Sequence, residues 1–160
     1  MIVCHEFSKE TLQRAHLLAL KHINGNAPDT ASLDTLSQAH REVIQDYVAD
    51  RKSALREWTM SRIAYNVLVK LGLDSKVHAQ EVASIYKTHD HNVSLMPSAL
   101  ENLSTLSEGN RLHIISNCPH NSLLQDIPSL KIEGFFDNIT VSCQIGYRKP
   151  HELIYRKASI

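Results

Sequence analysis

The chain has 160 residues, and its 17 basic and 17 acidic side chains cancel at pH 7. A hydrophobic content of 42% is enough for one core, or one core with a small cap. Zero net charge gives no electrostatic case for nucleic acid or an anionic membrane as partner. No apolar run approaches the roughly 20 residues of a membrane span. Met1-Ile2-Val3 is too short for a signal-peptide core, and His5 and Glu6 follow at once. The three cysteines, Cys4, Cys118 and Cys143, are odd in number and widely spaced, which predicts reduced thiols and a cytoplasmic setting. His78, His89 and His91 stand at no finger-like or helical metal-ligand spacing, so they read as solvated or capping residues.

Ile2 and Val3 suit the end of a strand. Ser8 is a helix N-cap, and Glu10 sits in the first turn, where the helix dipole favours an anion. Leu12, Ala15, His16, Ala19 and Ile23 recur at three- and four-residue steps, the signature of one helical face. Asn24-Gly25 predicts its stop, and residues 26–32, with Pro28, a loop. A second helix is expected from about Asp34, with Leu36, Ala39, Val43, Tyr47 and Val48 as its stripe. A third is expected from about Ser53 to Leu71, burying Leu55, Trp58, Ile63 and Val67 and ending at Gly72. Asp74 or Ser75 caps a fourth, with Val77, Val82, Ile85 and Tyr86 inward. These segments make a small antiparallel helical bundle, in which Trp58 and Tyr65 are core residues.

Residues 89–95 read as a polar connection. Pro97 suits the first turn of a helix that buries Leu100, Leu103 and Leu106 and ends at Gly109. Two short apolar runs follow. Leu112 to Ile115 leads into Ser116 and Asn117, and Ile139 to Val141 leads into Ser142 and then Lys149-Pro150. A helix-like segment, Asn121 to Asp126, lies between them, so the strands are expected to be parallel. Strands that deliver a hydroxyl, an amide and an amine at their carboxyl ends build ligand crevices in open α/β sheets. Each residue also has a plainer reading: Ser116 as a helix N-cap, Asn117 as a turn residue, Lys149 as a solvated lysine. Pro150 can open a last helix, with Leu153, Ile154 and Ala158 free to pack.

The order apolar strand, Ser116-Asn117, short helix, Gly134-Phe135-Phe136-Asp137, apolar strand, Ser142, Gly146-x-x-Lys149-Pro150 resembles the second and third motifs of the haloacid dehalogenase-like (HAD) hydrolases. The likeness covers roughly Met96 to Ala158, and the helical region before it resembles the family's cap more loosely. It implies an α/β fold with a partial Rossmann-like parallel sheet and an N-terminal helical cap. Residues 1–7 would be a remnant of the first core strand, 8–88 the cap, and 89–160 the partial core. It implies a hydrolase of the phosphatase type, acting on a phosphomonoester or, second, a halo-acid, hence a small phosphorylated or anionic substrate. Ser116 and Lys149 would be catalytic, Ser116 bonding a substrate oxygen and Lys149 offsetting its charge. Asn117 would be substrate-binding.

The same resemblance implies Mg²⁺ as cofactor, yet its ligands are not found here. The family's nucleophile comes from an N-terminal strand ending Asp-x-Asp-Gly-Thr, and a later Asp-rich strand end holds the metal. In this chain Ile2-Val3-Cys4-His5-Glu6 stands at the first position, and no Asp-rich strand end follows Pro150. Cys4 as nucleophile with Glu6 as acid/base is one reading, and Cys4 as a small buried hydrophobe the other. The alternatives to an active hydrolase are a non-catalytic HAD-like binding or scaffold protein, or a fragment of a longer hydrolase. A sheet of two or three parallel strands leaves edges exposed, which predicts a homo-oligomer or a partner chain that completes it.

Overall fold

The computed structural model describes residues 3–27, 31–119 and 123–158, with side chains from Glu6 onward. Two compact units divide the chain. One is helical and holds Phe7–Ala54 and Trp58–Asn92; the other is α/β and holds Met1–Glu6, Leu55–Glu57 and Val93–Ile160. Among the described residues no helix is long and apolar enough to cross a membrane.

The helical unit is built from α1 (Lys9–Asn26), α2 (Leu33–Ala54), α3 (Met60–Lys70) and α4 (Lys76–His89). Ser8 caps α1 as expected, and does so reciprocally: its hydroxyl accepts from Thr11 N at 3.0 Å, while the Thr11 hydroxyl accepts from Ser8 N at 3.0 Å. Thr59 and Ser75 cap α3 and α4 in the same way through Arg62 N and His78 N. Asn24-Gly25 does not stop α1, which runs on to Asn26. The Asn24 amide is used elsewhere, donating to Ala31 O at 2.9 Å and accepting from Ala31 N at 3.2 Å.

The larger departure lies between α2 and α3. A helix from Ser53 to Leu71 is not formed; α2 ends at Ala54 and α3 starts at Met60. Leu55 takes φ +52°, a left-handed conformation that breaks the helix. Trp58 is buried nevertheless, with its indole N–H donating to Asp50 and the Arg62 guanidinium over its ring at 4.0 Å. Tyr65 is partly buried against the same core. Gly72 ends the α3 region at φ +78°. On α4 the inward residues are Ala79, Val82, Ala83 and Tyr86, whereas Val77 is 69% exposed.

The helical core also encloses imidazoles. His40 stacks on Tyr86 at 4.9 Å, and His16 meets both rings edge-on at 5.1 and 5.6 Å. His16 Nε2 and the Tyr86 hydroxyl are buried without a hydrogen-bond partner among the described residues. Beside this group, His91 Nδ1 and Asp90 Oδ1 lie 2.6 Å apart, both side chains nearly buried.

In the α/β unit β1 (Val3–Glu6) pairs with β2 (Asn92–Leu95), so the segment read as a polar connection is in part a strand. Then come α5 (Ala99–Ser107), β3 (His113–Ser116), α6 (Leu123–Ser129), a 3₁₀ turn over Glu133–Phe135, β4 (Asn138–Val141), a one-turn α7 (Ser142–Ile145) and α8 (Glu152–Ala158). β3 and β4 are parallel, with Ile114 opposite Ile139 and Ser116 opposite Val141. The core of this unit gathers Leu103, Leu123, Ile127, Ile132 and Val141. α8 packs on both strands through the fully buried Ile154. Of the three leucines expected to be buried on α5 only Leu103 is; Leu100 and Leu106 are 50% and 54% exposed. Asp137, the aspartate of Phe-Phe-Asp, accepts from Leu112 N at 3.1 Å and so ties the starts of the two strands.

Burial pushes the His40 imidazole down to about 4 from the ordinary value of 6.5, with His16 adding to the effect and Asp90 opposing it. Burial and then Arg41 lower His16 as well. The unfolded chain therefore binds more protons between these pH values, and folding stability falls as pH drops from 6.5 toward 4. For His40 the loss is on the order of 3 kcal/mol. Urea midpoints measured by circular dichroism at pH 7.5 and pH 4.5 should show it, and His40→Asn should flatten the dependence.

Candidate functional site

The carboxyl ends of β3 and β4 bring Ser116, Asn117 and Lys149 together. Ser116 is the last residue of β3, half-buried. Asn117 follows, and its Oδ1 accepts from the Lys149 backbone N–H at 2.7 Å. That bond leaves the Nδ2 hydrogens of Asn117 as donors. The Lys149 ammonium donates to the carbonyl of Ile115, the residue before Ser116, at 2.7 Å.

Strand parity places that contact. Leu112 O accepts from Asp137 N, so it faces β4. Alternation along the strand turns the carbonyl of Ile115 to the other edge. The lysine side chain therefore reaches across the end of β3 to the edge that β4 does not occupy. That carbonyl belongs to the residue before Ser116, and the Lys149 backbone is bonded to the Asn117 amide. Lys149 has no acidic partner among the described residues.

Glu57, Ser142 and Arg148 also hold this end of the sheet, and of these only Ser142 enters the sequence motif, without a role assigned to it. Segment 55–57 lies against 146–148: Glu57 N donates to Gly146 O at 3.0 Å, Arg148 N to Leu55 O at 2.9 Å, and Arg56 and Tyr147 form an antiparallel bridge. The Glu57 side chain is 0% exposed. Its carboxylate accepts from Arg148 Nη1 at 3.1 and 3.2 Å and from the Ser142 hydroxyl. Ser142, fully buried, in turn accepts from Cys118 N at 2.8 Å. The signal for Ser142 was present, since it follows the β4 run as Ser116 ends β3. Glu57 carried none, because helical periodicity absorbed it.

Glu6 is exposed, and the side chains of Cys4 and His5 are outside the described residues, as is His120. Cys118 is buried and Cys143 half-buried. Burial first, then Cys118 and Glu57, push the Cys143 thiol up to about 11. No group of three or more His, Cys, Asp or Glu side chains that could hold a metal occurs among the described residues.

A parallel strand pair that offers hydroxyl, amide and ammonium groups at its carboxyl ends, with a separate helical unit in the same chain, is the frame of an α/β protein with a strand-end ligand site. Residues 28–159 match the family model described as haloacid dehalogenase-like hydrolase, and the chain belongs to that family. A search of curated proteins returns no match. Among solved structures, 2-haloacid dehalogenase from Pseudomonas syringae pv. tomato DC3000 is 19% identical at TM-score 0.58, covering 95% of this chain and 67% of its own. YfnB of Bacillus subtilis, described as a HAD-hydrolase and bound to magnesium, is 18% identical at TM-score 0.54, covering 91% of this chain and 65% of its own. The likeness at these identities is one of fold, and the chain spans about two thirds of each relative's length.

Two outcomes follow from the site geometry. Glu57→Ala leaves the Arg148 guanidinium largely buried without its counter-charge and should cost about 3–5 kcal/mol in denaturant unfolding of the α/β unit. At pH 8 the Cys143 thiolate fraction should be about 100-fold below that of an ordinary thiol. Timed alkylation with iodoacetamide, read by peptide mass mapping, should show Cys143 reacting correspondingly slowly.

Proposed function

We propose that the end of β3 is an oxyanion pocket, and that the chain acts within its hydrolase family on phosphomonoesters. The carrying observation is the placement of the Lys149 ammonium, 2.7 Å from Ile115 O, beside Ser116 and the oriented Asn117 amide. Hydroxyl, amide and ammonium can all donate, and several donors at one strand end favour a group that carries several oxygens and negative charge. A phosphoryl group offers three oxygens to these three donors, which favours it over the two-oxygen carboxylate of a halo-acid. The dehalogenase name of the Pseudomonas relative keeps the halo-acid as the runner-up.

Turnover on a phosphomonoester also needs a nucleophile and, in the family, Mg²⁺, as bound to the Bacillus relative. Mg²⁺ takes oxygen ligands in a near-octahedral array. The described residues do not fit it: they contain no acidic cluster, and the Glu57 carboxylate already holds Arg148 and Ser142. That commitment of Glu57 favours the second reading, a HAD-like protein that binds an anion without turning it over.

Titration with inorganic phosphate, followed by calorimetry or amide chemical shifts, tests the pocket. Lys149→Ala should weaken binding about 10- to 100-fold, and Ser116→Ala by several-fold, as expected for a charge-assisted and a neutral hydrogen bond. Hydrolysis of an aryl phosphate with Mg²⁺, lost in both variants, supports the phosphatase; binding without hydrolysis supports the second reading. Wild-type protein indifferent to phosphate would sink both.

A further inference from the structure

We infer that Glu57 is a positioning residue for the anion pocket, holding Asn117 and Lys149 in register without touching the ligand. The inference rests on the oxyanion reading above for what is positioned, and on the buried network alone for how. Glu57 cannot meet a ligand directly, because its side chain has no exposed surface. Its carboxylate instead accepts hydrogen bonds from two residues that follow β4, Ser142 and Arg148. Each of these leads to one pocket residue. The Ser142 hydroxyl donates to Glu57, accepts from Cys118 N at 2.8 Å and lies 3.2 Å from Cys118 O, so it joins Glu57 to the residue immediately after Asn117. Arg148 directly precedes Lys149, whose backbone N–H is bonded to Asn117 Oδ1 and whose ammonium is bonded to Ile115 O.

The two loops are thus joined twice. One link runs Cys118 to Ser142 to Glu57; the other runs Asn117 to Lys149, with Arg148 clamped to Glu57. Removing the carboxylate leaves the Ser142 hydroxyl with Cys118 O as its acceptor and takes two hydrogen bonds from Arg148. The backbone pairing of 55–57 with 146–148 would survive, since it uses main-chain groups. Apolar replacement of Glu57 and Arg148 together is therefore the change that separates the fold from the pocket geometry.

The test uses the whole chain and two readouts. The first is native-state hydrogen exchange at the Cys118 and Lys149 amides, with the β3–β4 ladder amides as the folding control. The second is affinity for inorganic phosphate. The variants are Glu57→Gln, Ser142→Ala and the double change Glu57→Leu with Arg148→Met, since apolar replacement of a whole buried pair keeps a protein folded where loss of one partner does not. In variants with an unchanged ladder, exchange at Cys118 and Lys149 should rise about tenfold or more. Phosphate affinity should fall about 10- to 100-fold, as when the supporting shell of a charged site is removed. Retained protection at both amides in a folded variant overturns the inference. So does lost protection with unchanged phosphate affinity, provided Lys149→Ala still weakens binding. If wild-type protein binds no phosphate, the oxyanion reading fails, and exchange at the two amides still decides whether Glu57 holds the loops. A merely structural Glu57 would alter ladder exchange and pocket exchange together.

Discussion

A carboxylate with no exposed surface lies at the carboxyl ends of two parallel strands, and the residues around it are arranged to satisfy it. Desolvating Glu57 is costly, so its oxygens must be met by donors of fixed geometry. Arg148 supplies the opposite charge and Ser142 a neutral donor. Ser142 can serve only because Cys118 N occupies its remaining acceptor site, and Arg148 only because segment 55–57 pairs with 146–148. Each bond restricts where the next residue can sit, and the last ones restricted are Asn117 and Lys149. Loops after parallel strands are otherwise free to wander; here a buried charge makes wandering expensive.

The helical unit handles buried polarity in the opposite way. His16 Nε2 and the Tyr86 hydroxyl have no partner among the described residues, and His40 is enclosed by rings. Neutral imidazoles tolerate this, since the ring faces pack as aromatic surface. Charged ones do not, so the packing that makes these histidines good core residues near neutral pH makes them liabilities in acid. The α/β unit stores its polarity as a satisfied ion pair, whereas in the helical unit burial holds the His16 and His40 imidazoles below their ordinary titration range.

Much of this architecture was legible because short apolar periodicities dominate it. The capped helices at Ser8 and Ser75, the parallel strand pair and the placement of Ser116, Asn117 and Lys149 at strand ends all follow from local pattern. The break between α2 and α3 does not. Residues 53–59 contain neither Gly nor Pro, and Leu55 and Trp58 fall at helical spacing, so nothing local announces a left-handed residue at Leu55. What stops the helix is tertiary: the pairing of 55–57 with 146–148, about 90 residues away in sequence. Glu57 was hidden for the same reason. Val77, Leu100 and Leu106 failed differently. They keep helical spacing but lie at the margin of the stripe, where Ala79, Ala83 and Ala99 supply the buried contacts instead.

The two adjacent cations show how the network divides labour. Arg148 and Lys149 are neighbours in sequence, yet among the described residues only Arg148 of the two has a carboxylate partner, Glu57. An arginine suits that role, because its planar fork meets a carboxylate with several bonds at once. Lys149 is left with a carbonyl as its partner, which orients the ammonium without cancelling it. A carbonyl takes one of three ammonium hydrogens, so charge and two donors stay available at the end of β3. If Arg148 lacked its carboxylate, two uncompensated cations would stand side by side and repel, and the loop would relax to separate them. Neutralising the first is therefore what allows the second to be held in place with its charge intact. That condition must be met before any anion can be drawn to Ser116 and Asn117.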